Sequence, residues 1–391
     1  MQAGKQSRQT IRRNSSHQSK TIVTGCYATS DEETVRKIDG VDGVITHHQN
    51  LESELTRLLD SWLTEPLAVS RRPLPLLNDH QDRQRAFLKI QDGCDAHCTY
   101  CIIPQLRPNL SSKPVDETIE EAKRLVAAGH HEIILTGIFL GAYGQPTALR
   151  RRQPQDTAIP LARLIDALCT NVPNLRRLRL SSLEPGDVTP HLIDVMKSHQ
   201  QVVPHFHLPL QSGSDHLLHK MNRQYTRTDF LKMADQLNES FDRPALTTDI
   251  ITGFPGETDE EFQQTLDVVN QVKFIHIHAF PFSPRPKTAA ARWTKDFIRG
   301  PVVNERIQHL TTLAQSHSHT FRTQFLTQTA EVLVEKSNDG SIPHGRSERY
   351  FDIHFDSESA KAGDLVKVRI ERVTPTRTHG TLVNRPLPIL V

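Results

Sequence analysis

Three thiols stand close together in Gly93-Cys94-Asp95-Ala96-His97-Cys98-Thr99-Tyr100-Cys101, with Cys98 four residues after Cys94 and Cys101 three after that. Thiols so spaced on one loop converge without long-range folding, which is what an iron–sulfur cluster asks of its ligands. Three ligands on a four-iron cluster leave one iron open, a place for a small molecule to chelate through an amine and a carboxylate. Zinc is a competing use; its fourth ligand would be His97, whose position between Cys94 and Cys98 gives poor tetrahedral geometry. Chance clustering of buried cysteines is the remaining alternative. Cys169, beside the helical pattern Leu164–Leu168, reads as a small core residue.

A loop of this kind needs a scaffold. Between residues 87 and 282 short β-type runs alternate with longer helical ones, and the six runs expected as strands are Phe87–Gln91, Glu132–Ile138, Arg177–Leu183, His205–Leu210, Leu246–Thr252 and Phe274–Phe280. The gaps carry amphipathic patterns, such as Val115–Ala128 with Ile119, Ala122, Leu125 and Val126 on one face, or Asp259–Val272 with Phe262, Leu266 and Val269. Strand, helix and parallel strand in repetition predict an α/β fold; six units favour an incomplete (βα)6 barrel, and periodicity alone leaves a doubly wound sheet open. In either fold function collects at the C-terminal ends of the strands. Those ends read Gly93-Cys94, Thr136-Gly137, Ser181-Ser182-Leu183-Glu184, Gln211-Ser212-Gly213-Ser214 and Gly253-Phe254-Pro255-Gly256-Glu257. One such end is an ordinary turn; five in succession predict a ligand cavity.

After the segment Ser283-Pro284-Arg285-Pro286-Lys287 a helical pattern over Val302–Ala314 is expected to close this domain. From Thr329 the chain changes to short alternating runs, TAEVLVEK, RYFDIHF, DLVKVRIERV and HGTLV, separated by turns at Asn338-Asp339-Gly340, Lys361-Ala362-Gly363-Asp364 and His379-Gly380. This is enough for a five-stranded barrel.

Length and composition set the limits. The 391 residues suggest two or three domains. No apolar run is long enough to span a bilayer, so no membrane association is expected. Lys+Arg 47 against Asp+Glu 45 gives a net charge of +2, so contact with a polyanion must come from local patches, of which the acid-free residues 1–25 are one. The same stretch has the composition of a transit peptide. Five cysteines, three of them clustered, do not form a secreted disulfide framework, and a reducing cytoplasm fits them.

The residues carry more than spacing. CDAHCTYCIIP resembles the CxxxCxxC signature of radical S-adenosylmethionine (SAM) proteins; LTGIFLGAYG, RLSSLEP, HFHLPLQSGSD, MNRQYT, TTDIITGFPGET and FSPRPKT are similar, in order, to the core motifs of the radical SAM methylthiotransferase family. The likeness runs from about residue 5 to residue 385. It implies a truncated α/β domain over 1–75, a radical SAM partial barrel over 80–320 and a small TRAM-like β-barrel over 322–391. TGCYAT, LGAYG and HLPLQSGSD most resemble the subgroup that acts on tRNA bearing N6-threonylcarbamoyladenosine beside the anticodon. The resemblance implies a [4Fe-4S] cluster on Cys94, Cys98 and Cys101 that binds SAM, an electron donor protein, and attachment of a methylthio group at position 2 of the adenine. By position it assigns SAM contacts to Gly137, Ser182, Glu184, Gln211 and Arg223. Glu184 has an alternative use as a helix-capping carboxylate beside Pro185, and Arg223 as a surface ion-pair partner.

The pattern fails in places. The family normally holds a second [4Fe-4S] cluster on three cysteines of its first domain, and only Cys26, in Thr24-Gly25-Cys26-Tyr27, matches here. One thiolate does not hold such a cluster by itself. Either the true start lies upstream and brings the other ligands, or two further readings follow: a radical SAM protein that cleaves SAM without inserting sulfur, or a non-catalytic RNA-binding remnant that uses residues 1–25 and the C-terminal barrel. After Pro104 the Arg-Gly-Arg-rich loop of the family is replaced by Arg107-Pro108-Asn109-Leu110-Ser111-Ser112-Lys113, with fewer cations for phosphate. Lys287 stands in place of the usual glycine, and Phe139 in place of a frequent asparagine.

Overall fold

The computed structural model describes residues 2–14, 20–62, 83–149, 159–336, 342–357 and 360–383. They divide into two compact units, one of Met1–Pro75 with Ile102–Pro108, the other of Leu76–Cys101 with Asn109–Val391. In the first, β1 (Ile22–Thr24) and β2 (Gly43–Ile45) pair in parallel, Ile22 opposite Gly43. Helices over Gln2–Asn14, Cys26–Ser30, Glu32–Arg36 and Leu51–Trp62 accompany them, and Ala28, Val35 and Val44 form a small core.

The second unit begins with β3 (Arg85–Lys89), β4 (Gln91–Asp92), β5 (Ser111–Ser112), β6 (Glu132–Thr136), β7 (Arg177–Leu180), β8 (His205–His207), β9 (Ala245–Thr252) and β10 (His276–Pro281). β3, β6 and β7 are parallel neighbours, as are β8, β9 and β10, and a parallel bridge between Ser182 and His207 joins the two sets. Side chains from all six of these strands, among them Phe87, Ile134, Arg179, His205, Thr247 and His278, line one cavity. The sheet is therefore wrapped into a partial barrel, which excludes the doubly wound alternative, and it stays open between β3 and β10.

All six expected strands exist, and most end sooner than their apolar runs suggest. The first run starts earlier and breaks after Lys89, because Gln91–Asp92 turns away to pair antiparallel with Ser111–Ser112. The other strands stop where their backbone enters the functional loops. The helices follow the periodicity: Val115–Ala127 buries Ile119, Ala122 and Leu125, while Val126 is half-buried against the same core. Asp259–Val272 starts where it was expected because Thr258 and Glu261 cap each other's backbone N–H groups, two otherwise unmet donors. Burying a Leu or Val side chain on such a face stabilises the fold by about 1.5–3 kcal/mol.

The helix expected at Val302–Ala314 runs much longer, over Gly300–Thr323, because its second half covers the small barrel, where Phe321 packs on Phe325 and Phe351. That barrel is closed in the order β11 (Thr329–Val334), β12 (His344–Ser347), β13 (Asp352–Asp356), β15 (Thr378–Leu382), β14 (Leu365–Val373) around Val332, Ile353, Phe355, Val368 and Ile370. The turn expected at Asn338-Asp339-Gly340 lies outside the described residues. Barrel and half-barrel meet over a buried ionic group: Glu132, fully buried, takes Arg179 at 2.8 Å and Arg177 at 3.3 Å. Arg177 continues to Glu331 at 3.2 Å, and both guanidiniums donate to backbone carbonyls of the small barrel, at Arg346 and Glu348.

Candidate active site

Parallel pairing puts the ends of β6, β7, β8 and β9 on one side of the molecule, and the loop bearing the three cysteines leaves β3 and β4 on that side too. Its entry depends on Gly93, which has φ +80°; a Cβ there would stand 2.0 Å from the Asn109 carbonyl oxygen. Gln91 steadies the entry by donating to the Gly93 carbonyl at 2.7 Å and accepting from the Phe139 N–H at 2.9 Å. Asp95 accepts from the Thr147 hydroxyl and the Ala148 N–H. At its far end Asn222 donates to the carbonyls of Ala96 and His97, and the Thr99 N–H donates to the Met221 carbonyl at 3.0 Å. Segments far apart in sequence thus fix the loop from both sides.

The sulfurs themselves are half-buried. Cys94 and Cys98 pack against Ala96, Phe139, Ala142 and Ala148. Burial pushes the Cys94 thiol up to about 12, so this sulfur gives up its proton when a metal takes the proton's place. Cys98 receives a hydrogen bond from Arg223 Nη1 at 3.3 Å, and donors to sulfur tune a cluster's potential. Among the described residues no three His, Cys, Asp or Glu side chains converge on a point that would hold a single metal ion. A four-iron cluster takes one thiolate per iron and so spreads its ligands wider than a single ion does. Three thiols on one clamped loop, in apolar surroundings with a cationic donor, fit such a cluster. Cys169 is buried in the helix Ile159–Asn171, away from the loop in the main core.

Of the remaining expected residues, Glu184 and Arg223 are brought together as a buried ion pair, their side chains 14% and 8% exposed. This corrects both simpler uses: Glu184 is not a helix cap and Arg223 is not a surface partner, because the fold places them against each other beside Cys98. Arg223 also lies over the Tyr225 ring at 4.9 Å and reaches the Tyr100 hydroxyl at 3.4 Å. Asp187 orients the partner, accepting from the Glu184 N–H at 2.7 Å, and Gly141 makes room, since a Cβ there would stand 1.8 Å from the Asp187 carboxylate. Gly137, Ser182 and Gln211 stand at the ends of β6, β7 and β8; Ser182 bridges to His207, and Gln211, at φ 64°, to Ile250. Cys26 belongs to the other unit, where its sulfur lies 3.5 Å from Arg107 Nη2 and 3.8 Å from His47 Nε2.

Behind the loops the strands enclose a cavity of ≈ 350 Å³. One wall is polar, with Arg179, Ser181, His205, His207, Thr247 and Asp249; Phe87 and Ile134 are apolar, and Tyr350 of the small barrel closes the floor. The Tyr350 ring stacks on His205 at 4.5 Å and takes the guanidiniums of Arg179, Arg346 and Arg85 at 4.9, 4.7 and 5.3 Å. The sequence reading missed this wall. Its signal was present as two His-x-His runs, His205-Phe206-His207 and His276-Ile277-His278, which put imidazoles on the inner face of two strands.

The Radical SAM superfamily model matches residues 88–269, from the first barrel strand into the helix before the last. The chain is 34% identical over 399 aligned positions, 97% of its length and 85% of the relative's, to the threonylcarbamoyladenosine tRNA methylthiotransferase MtaB of Bacillus subtilis. It is 33% identical to the protein of that name from Thermotoga maritima, over 93% of this chain and 81% of that one. The tRNA-2-methylthio-N(6)-dimethylallyladenosine synthase of Agrobacterium fabrum is 34% identical, over 90% of this chain and 78% of that one. A Radical SAM match together with likeness over nearly the whole chain to methylthiotransferases means that the chain belongs to the radical SAM methylthiotransferase family.

Proposed function

We propose that this enzyme attaches a methylthio group to position 2 of N6-threonylcarbamoyladenosine in tRNA, beside the anticodon. One observation carries the reading: the 34% identity to the Bacillus subtilis relative extends over 97% of the chain. Cys94, Cys98 and Cys101 hold a [4Fe-4S] cluster, and SAM is the cosubstrate. Bound together, these groups supply one-electron cleavage of SAM and so the means to activate an unreactive C–H bond.

The chain's own residues position and shield. Gly137 leaves bare backbone for SAM, Glu184 and Arg223 meet its charged amine and carboxylate, and Ser182 and Gln211 contact it from the ends of β7 and β8. The half-barrel keeps water from the reacting atoms, and its open side between β3 and β10 admits the base. An electron donor protein and a cytoplasmic location complete the proposal. Among the described residues no helix is long and apolar enough to cross a membrane.

A second reading, cleavage of SAM without sulfur insertion, is favoured by Cys26, the one cysteine among residues 1–93, a stretch that resembles a family domain with three. Mass spectrometry of nucleosides from tRNA incubated with the reduced, reconstituted chain separates the two. The 2-methylthio derivative of threonylcarbamoyladenosine is the expected product. Formation of 5′-deoxyadenosine with no modified nucleoside would refute the first reading in favour of the second.

A further inference from the structure

Three side chains that line the barrel cavity each carry a buried polar atom without a hydrogen-bond partner among the described residues: Arg179 Nη1, Ser181 Oγ and His205 Nδ1. Buried polar atoms in native proteins nearly always have partners, and an unmet one is destabilising. Three around one cavity mark a place where something polar binds.

Their chemistry is specific. Arg179 spends its other nitrogens on Glu132 and the Glu348 carbonyl, which leaves one cationic donor. His205 Nε2 lies 3.2 Å from Thr247 Oγ1, which lies 3.0 Å from His207 Nδ1, and His207 Nε2 lies 3.3 Å from Asp249 Oδ2. The carboxylate only accepts, so with neutral rings the chain is satisfied in one direction, His205 to Thr247 to His207 to Asp249. His205 is held neutral, its imidazole pushed well below the usual range by burial and then by Arg179 and the other cations nearby. Its Nδ1 is then an acceptor. The wall offers a cationic donor, a hydroxyl that donates and accepts, and a ring nitrogen that accepts.

A dimethylallyl group satisfies none of these, whereas a threonylcarbamoyl group carries a carboxylate, a hydroxyl and amide N–H groups. Pockets built to hydrogen-bond a substituent reject analogues that lack the polar groups. At the cavity mouth on the edge strand β10, Phe280 is 51% exposed and His278 stands beside it with rings 14° apart, a surface on which an unstacked base can lie. We propose that Arg179, Ser181 and His205 form the subsite that receives the carboxylate-bearing N6 substituent of the target adenosine and excludes an aliphatic one. This rests on the reading of the chain as an enzyme of N6-substituted adenosine in RNA.

The test is equilibrium binding, by fluorescence anisotropy, of the full chain with its cluster reconstituted and no reductant present. Four anticodon stem-loop RNAs serve as probes, carrying threonylcarbamoyladenosine, its methyl ester, dimethylallyladenosine or plain adenosine. The natural chain should prefer the first over the ester and the dimethylallyl RNA by about tenfold or more. Arg179→Lys and Ser181→Ala should each weaken binding of the first by roughly tenfold and leave plain adenosine unchanged. Should Arg179→Lys fail to fold, Ser181→Ala decides alone, since the Ser181 hydroxyl has no partner among the described residues to lose. Undiminished preference in folded variants would overturn the subsite while the substrate stands. Preference of the natural chain for dimethylallyl RNA would overturn both, and equal or absent binding of all four would remove the RNA reading and the subsite with it.

Discussion

Replacing Glu132 by Gln should destabilise the barrel junction strongly, and in a way that depends on pH. Burial by itself would raise the Glu132 carboxyl, but Arg179, Arg177 and Arg85 outweigh it and bring it from 4.5 down to about 2. A fall of that size corresponds to roughly 3 kcal/mol of folding stability at neutral pH. The substitution also strands two guanidiniums, Arg177 and Arg179, 1% and 2% exposed, without their shared carboxylate. Breaking a buried ion pair from one side costs about 3–5 kcal/mol. Thermal melts of the natural chain and Glu132→Gln at pH 7 should therefore differ by on the order of 10 °C. A carboxyl held low contributes fully above its unfolded value and loses that contribution as pH falls through the folded one. The gap between the two proteins should thus be constant above about pH 5 and close as pH approaches 2. A gap below about 1 kcal/mol at neutral pH, or one that persists unchanged in acid, would show that the junction does not depend on this carboxylate.

Other outcomes follow from the cysteine loop. Iron analysis after anaerobic reconstitution should show the loop's cluster, about four irons, lost on replacing Cys94, Cys98 or Cys101 by Ala and kept in Cys169→Ala; equal loss in the Cys169 variant would disprove the ligand set. Gly93→Ala forces a Cβ to within 2.0 Å of the Asn109 carbonyl at a φ of +80°. It should fold with normal far-ultraviolet circular dichroism yet take up little iron, and full iron content would contradict the strained entry. Glu184→Gln leaves Arg223 beside Cys98 without its counter-charge; calorimetry should find iron retained and SAM affinity lowered about tenfold or more. Unchanged affinity would take the pair out of the SAM site.

Local chemistry explains what was legible in the sequence. Asp259–Val272 could be read to the residue because its capping box and its apolar face are both local. The cysteine loop was legible for the same reason. The pairing of Glu184 with Arg223 was not, since it spans 39 residues and forms only when β7 and the segment after β8 come to one side. The strand His344–Ser347 escaped because His-Gly-Arg-Ser has no apolar alternation; Gly345 is there because a Cβ would strike the Leu333 carbonyl at 2.1 Å. The polar wall escaped for a related cause. A polar lumen inverts the usual apolar-inward pattern, so nothing in His205-Phe206-His207 marks the two imidazoles as inward-facing.

Tyr350 has a consequence for how such chains can be recombined. It is held at φ 70° in the link between two strands of the terminal barrel, yet its ring is the floor of the half-barrel. A graft that exchanged the terminal barrel for a relative's would therefore exchange part of the inner chamber, along with Arg346 against the same ring. The joint that looks natural on the sequence, after the long helix, cuts through a shared wall. Chimeras should be spliced so that Tyr350 and the arginines around it travel as one set.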